Sequence, residues 1–204
     1  MRLTFDEAHH HYWLDGERLP GVTEVLSDLS MTKRLDPGWL AAARERGKLV
    51  HKAIELYNQD DLAEDSVDKS IVGYLTAWKR FCHDYKFKPL MTERIVYSER
   101  WRFAGTLDVI GSWQVNKHPR LVLADAKSGL EDPAHGPQTA AYVHAAVEME
   151  ILEAASRKDL PQRCAVRVQA DGYYKLDRFS HPSDWSVFFA ALECWKFKQK
   201  HGLL

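Results

Sequence analysis

Leu121-Val122-Leu123-Ala124-Asp125-Ala126-Lys127 opens as a continuous apolar run, the mark of a β-strand covered on both faces, and ends on two charges. The same anomaly stands upstream in Ala104-Gly105-Thr106-Leu107-Asp108-Val109-Ile110, where an aspartate interrupts an apolar strand. Aspartate is disfavoured in strands and costly to bury without a partner, so each of the two needs compensation. The two-residue period of a strand puts Asp125 and Lys127 on one face. Two carboxylates and an ammonium on neighbouring strands suit a hard divalent cation with a lysine beside it. The rival reading is a buried Asp125–Lys127 ion pair with Asp108 capping a turn. Buried ionic groups are expensive and seldom kept for stability alone, which favours the cation.

The strand pattern extends outward from these two segments. Residues 93–98 and 102–112 predict an antiparallel pair around a turn near Glu99-Arg100, with 120–127 as the next strand and Ser128-Gly129 ending it. Beyond a polar loop containing Pro133 and Pro137, the pattern predicts a helix over 138–155. A hairpin of 164–170 and 173–179 turning at Asp171-Gly172 follows, then a last helix over 183–200. Upstream, residues 3–19 predict a small N-terminal β hairpin turning at Asp15-Gly16, and 22–26 a short helix. Asp36 as N-cap and Pro37 at the first helical position start a helix with an apolar stripe at Leu40, Ala43, Gly47, Val50, Ile54 and Tyr57. A helix over 67–85 carries Ile71, Tyr74, Trp78, Phe81 and Tyr85 on one side. Together these predict one α/β (α+β) domain over 1–204, a mixed central β-sheet flanked by helices. Residues 1–36 form its N-terminal hairpin and short helix, and 37–204 its core.

Composition bounds the function. With 204 residues, 45% of them hydrophobic, the chain can bury a sizeable core, which excludes collagen-like and disordered classes. A formal charge of −1 gives no global positive field. That balance hides segregation: Asp60, Asp61, Glu64, Asp65 and Asp68 lie in a nine-residue stretch without one basic residue, so the remainder is net positive. Arg44, Arg46 and Lys48 form a local basic cluster near His51. Cys82, Cys164 and Cys194 are widely spaced, form no CxxC pair, and cannot supply a four-cysteine site, so no iron–sulfur cluster is expected. The absence of a run of roughly 20 apolar residues, with charges in the first seven, predicts a soluble cytoplasmic protein with no membrane partner.

Asp108 followed by Asp125-Ala126-Lys127 resembles the D…(D/E)-x-K core of the PD-(D/E)XK nuclease superfamily. Four motifs, in order, narrow the resemblance to the RecB-like branch and its short phage-type exonucleases: Gly47-x-x-x-His51, Gly105-Thr106-x-Asp108, Asp125-x-Lys127-Ser128-Gly129 and Gln138-x-x-x-Tyr142. His11-Tyr12 and Pro20-Gly21-Val22-Thr23 extend it over nearly the whole chain. The resemblance implies a restriction-endonuclease-like core with 37–204 as the catalytic part. It implies Asp108 and Asp125 as metal ligands, aided by the Ala126 backbone carbonyl, with His51 completing the shell. Lys127 would orient or deprotonate the attacking water and steady the charge on the phosphate. Gln138 and Tyr142, four apart on one helix face, would line the site, and Ser128 with Arg44, Arg46 and Lys48 would contact DNA. The implied cofactor is Mg2+ or Mn2+, one or two ions. The implied partners are DNA and a single-strand annealing protein, in the host cytoplasm if phage-encoded. The implied activity is a Mg2+-dependent DNA exonuclease of phage-type recombination or end processing. The alternatives are a structure-specific endonuclease of the same fold and a non-catalytic DNA-binding or assembly protein.

Several residues keep two readings. His51, at the border of its apolar stripe, is a ligand or a hydrogen-bonded core histidine. Tyr142 is site or core, and Gln138, following Pro137, is site or helix cap. Glu93, on the strand before Asp108, is a further ligand or a surface residue. His9-His10-His11 resembles a metal tract, although a strand would send alternate residues to opposite faces. Trp39, Trp78 and Trp185 read as core. Lys196, Lys198, Lys200 and His201 read as a basic helix end that complements the dipole or touches phosphates.

Overall fold

The computed structural model describes residues 2–115, 118–153 and 160–204. Three short strands, β1 (Leu3–Asp6), β2 (His11–Leu14) and β3 (Glu17–Leu19), precede a one-turn helix α1 (Val22–Val25) and two long helices, α2 (Pro37–Asn58) and α3 (Val72–Tyr85). Strands β4 (Lys88–Ser98), β5 (Phe103–Val115) and β6 (His118–Lys127) follow. Then come α4 (His135–Glu148), β7 (Gln162–Val168), β8 (Tyr174–Phe179) and α5 (Asp184–Lys200). Strands β4 to β8 form one sheet in chain order. Every pairing is antiparallel except β6 with β7, which is parallel and has α4 as its crossover.

The strand alternation read from sequence decides which helices cover which face. Leu123 and Ile110 pack with α1, α4 and α5 through Val25, Ala145 and Phe188. Val122 and Val109 pack on the other face with Val50 and Ile54 of α2 and Trp78 and Phe81 of α3. The molecule is therefore mixed α+β, a central mixed sheet flanked by helices, with an antiparallel sheet at its N-terminal end. That end sheet has three strands where a hairpin was expected. Asp15 and Gly16 turn β2 into β3 with φ of 50° and 85°, a pair of left-handed residues matching the twist of a two-residue turn, and β1 adds alongside. A third small core, Tyr12, Leu14 and Leu19 against Ala104, seats this sheet on β5. The seat is pinned by the Ala104 amide donating to the Pro20 carbonyl at 3.0 Å and by Tyr12 Oη bonding Thr106 Oγ1 at 2.9 Å.

Helix boundaries depart from the expected ones for local reasons. Asp36 caps α2 as expected, accepting from the Trp39 amide. Helix α3 starts five residues later than the apolar pattern suggests, because Asp68 accepts from both the amide and the hydroxyl of Ser70 and holds a turn. Within the acidic stretch, Glu64 pairs with Lys79 of α3. Helix α4 begins at His135, with Pro137 inside its first turn where the missing amide costs nothing, and ends at Glu148. Its expected last residues, 154 and 155, lie outside the described residues. Trp78 is core, as expected, but Trp39 is 46% exposed, at the exposed start of α2. Trp185 is partly buried, its ring stacked at 3.8 Å on His144. No described helix is long and apolar enough to cross a membrane.

Candidate metal centre

One group of side chains among the described residues has ligand atoms close enough to hold a metal ion: His51 of α2, Glu93 of β4 and Asp108 of β5, all within 4.8 Å of one another. His51 Nδ1 lies 3.5 Å from Asp108 Oδ2 and 3.9 Å from Glu93 Oε1. Their convergence depends on an irregularity in the two strands. The register pairs Thr92 with Val109 and Arg94 with Leu107, leaving Glu93 opposite Asp108. There Glu93 adopts a left-handed backbone, φ 47°. On β5 the alternation changes phase at the same place. Phe103 and Leu107 pack toward α4 and α5, whereas Val109 and Trp113, also odd-numbered, pack toward α2 and α3. A non-glycine residue in that conformation costs about 1–3 kcal/mol and persists where the surroundings impose it.

Asp108 is buried, and its Oδ2 accepts the Ala126 amide at 2.7 Å. In an extended strand a residue's N–H and C=O point to the same side, so the Ala126 carbonyl also faces β5. Burial raises the Asp108 carboxyl above its usual range, with His51 and Lys127 pulling it back. Burial works against charge on His51, but Asp108 and the Glu93 carboxylate outweigh it and hold the imidazole at about 9. Metal-free, the group balances two carboxylates with one imidazolium, and a divalent cation would do so with the ring neutral. One imidazole nitrogen with carboxylate oxygens fits Mn2+ and Mg2+, and this donor set answers the charge that sequence left uncompensated at Asp108.

Asp125, expected as a further ligand, stands beside this group with its carboxylate against Lys127. It is fully buried, its Oδ2 lies 2.7 Å from Lys127 Nζ, and its Oδ1 accepts from Gln138 Nε2 at 3.5 Å. The Lys127 ammonium is thus the immediate neighbour of the carboxylate expected to bind the ion. Burial raises Asp125 as well, with Lys127 opposing. Burial likewise disfavours the charge on Lys127, but Asp125 and Asp108 hold its ammonium above the usual lysine value. Held that way, the Lys127 ammonium can donate. Gln138 Nε2 also donates to Tyr142 Oη at 3.1 Å, so the two α4 residues form a chain running to Asp125. Both are buried, and burial pushes the Tyr142 hydroxyl well above 10.

The basic cluster on α2 is split. Residues two apart on a helix sit about 200° around the axis, so Arg44 and Lys48 share a face that Arg46 does not. Arg44 lines a cleft of about 580 Å³ together with Lys127 and Gln138. Lys48 pairs with Glu45 at 2.8 Å, and Arg46 turns toward α3 to lie 5.8 Å over the Tyr74 ring. Ser128 Oγ would lie 3.7 Å from a Cβ added at Gly47, ordinary contact, so space does not explain that glycine. His9 and His10 lie in the turn before β2, His11 opens that strand, and all three line the cleft. His9 pairs with Asp6 and His10 with the Tyr12 hydroxyl. Lys196 and Lys198 are paired with Glu193 and Asp28. His135, which the sequence reading missed, is buried beside Lys127 at the cleft wall. Only its place three residues before Gln138 could have drawn attention to it.

No family model matches the chain, and no curated protein matches it. Among solved structures, that of SSO0001 is similar at a TM-score of 0.41 and 14% identity, over 88% of this chain and 75% of that one. A likeness of that degree carries no argument about activity.

Proposed function

We propose that this chain is a divalent-metal-dependent deoxyribonuclease with a PD-(D/E)XK core, acting as an exonuclease in phage-type recombination or DNA end processing. The observation that carries the reading is the apposition of the His51–Glu93–Asp108 group with the buried Asp125–Lys127 pair, whose lysine lines a cleft. A cation held by that group supplies Lewis-acid stabilisation of charge on a phosphate. Lys127, kept as an ammonium, donates to a phosphate oxygen and steadies the charge that grows there during attack. Asp125 orients Lys127, and Gln138 with Tyr142 fixes Asp125. The exonuclease mode rests on the motif resemblance.

The test is digestion of linear and closed-circular DNA with Mg2+ or Mn2+. Linear DNA is expected to be degraded and closed circles spared. Asp108→Ala and Lys127→Ala are each expected to lower the rate by at least about a hundredfold, the scale of losing one electrostatic donor in an active site. Activity surviving both substitutions would sink the assignment, and cutting of closed circles would replace the exonuclease with an endonuclease.

A further inference from the structure

The mechanism above leaves a buried histidine of the cleft unused. His135 is the first residue of α4 and only 9% exposed, yet its ring lines the cleft with Lys127, Gln138 and Arg44. Its backbone is fixed: its amide donates to the Asp132 carbonyl at 3.1 Å, and its carbonyl accepts from Thr139 Oγ1 at 3.0 Å. The Asp132 side chain, accepting from the Ala134 amide and from Ser30, anchors the turn before it. The ring thus stands on a fixed stretch of backbone. Its Nδ1 is sealed from solvent with no hydrogen bond to any described residue. Buried polar atoms in native proteins are almost always satisfied, and an exception calls for a reason.

The reason lies in the tautomer. An orphaned buried N–H is rarer than an under-satisfied acceptor, so the neutral ring carries its proton on Nε2. Burial and the nearby Lys127 charge pull His135 down to about 4, so the ring stays neutral where enzymes of this kind work. A neutral donor costs less to desolvate than a second cation beside Lys127, and the N-terminal end of α4 favours an anion at the same spot.

We infer that His135 is a substrate-binding residue whose Nε2–H donates to a non-bridging phosphate oxygen of the DNA strand lying in the cleft beside Lys127. The inference rests on the nuclease reading and deepens it. His135→Leu and His135→Asn remove the donor, since asparagine reaches only the Nδ1 position. His135→Gln places an amide near Nε2 and restores it. For each folded variant, DNA affinity is measured with Ca2+, turnover with Mn2+, and Mn2+ affinity by calorimetry. A hydrogen bond to a charged group is worth about 1.5–3 kcal/mol, or roughly 10–100-fold. Leu and Asn are expected to weaken DNA affinity and raise KM by about that factor, with Mn2+ affinity unchanged and Gln recovering most of the loss. The inference is overturned if DNA affinity and KM are the same in all variants, or if the loss is the same in Gln as in Leu. Wild-type protein that neither binds nor cuts DNA would overturn the nuclease reading itself, a result distinct from either.

Discussion

Glu93 shows what a single residue can carry that its letter does not announce. Its sequence context is an ordinary strand, but its left-handed backbone aims the carboxylate at His51 and Asp108. Glycine adopts that conformation without penalty. Glu93→Gly is therefore expected to keep or raise metal-free stability by about 1 kcal/mol, some 2–4 °C in Tm at this chain length, while weakening Mn2+ binding at least tenfold. Calorimetric unfolding and a metal titration on one sample check both halves, and a fall in Tm would show that the Glu93 pairing with His51 outweighs the backbone strain. Asp108, Asp125 and Lys127 were legible because charge inside an apolar strand is conspicuous. The Asp125–Lys127 contact at 2.7 Å is the rival pairing that the same strand spacing allowed.

At the scale of elements, periodicity read the stripe of α2 well and its charged side poorly. Val50 and Ile54 are buried as the stripe requires. Arg44, Arg46 and Lys48 are close in sequence, yet the helix turns Arg46 onto Tyr74. Arg44→Ala is expected to weaken DNA binding and reduce the slope of log affinity against log salt by about one. Arg46→Ala should leave that slope unchanged; binding isotherms at several salt concentrations decide, and equal slopes for both variants would remove Arg44 from the DNA path. The contact of β5 with α4 is the second such case. A Cβ added at Gly105 would fall 2.6 Å from Tyr142 Cε1 and 3.2 Å from Val22 Cγ2. Tyr142 is buried, so its ring cannot swing aside freely. Gly105→Ala is expected to cost about 1–3 kcal/mol in thermal unfolding and to slow DNA cleavage by displacing the Tyr142–Gln138–Asp125 chain. Unchanged melting would mean that the ring has room the packing does not show.

For the whole molecule, the order of helices and strands was legible because each element carries its own period and punctuation. Which strands are neighbours in space was only partly legible, since pairing depends on contacts far apart in sequence. The mixed character of the sheet comes from one joint, β6 with β7. Val109 and Ala124, paired across β5 and β6, are 15 residues apart, whereas Val122 and Gln162, paired across β6 and β7, are 40 apart with α4 between. Closing the longer loop costs more entropy before any contact repays it. In refolding, pulse-labelled hydrogen exchange is expected to show amides of β5 protected before those of β7; simultaneous protection would rule this order out. His51, Glu93 and Asp108 all precede that joint in the chain, while the strand bearing Asp125 and Lys127 is braced on its second edge only after it closes. On a ribosome, the emerging polypeptide would hold the means to capture an ion before it had the means to use one. Under the proposed function, chemistry on nucleic acid during synthesis would be deferred until the last strands arrive.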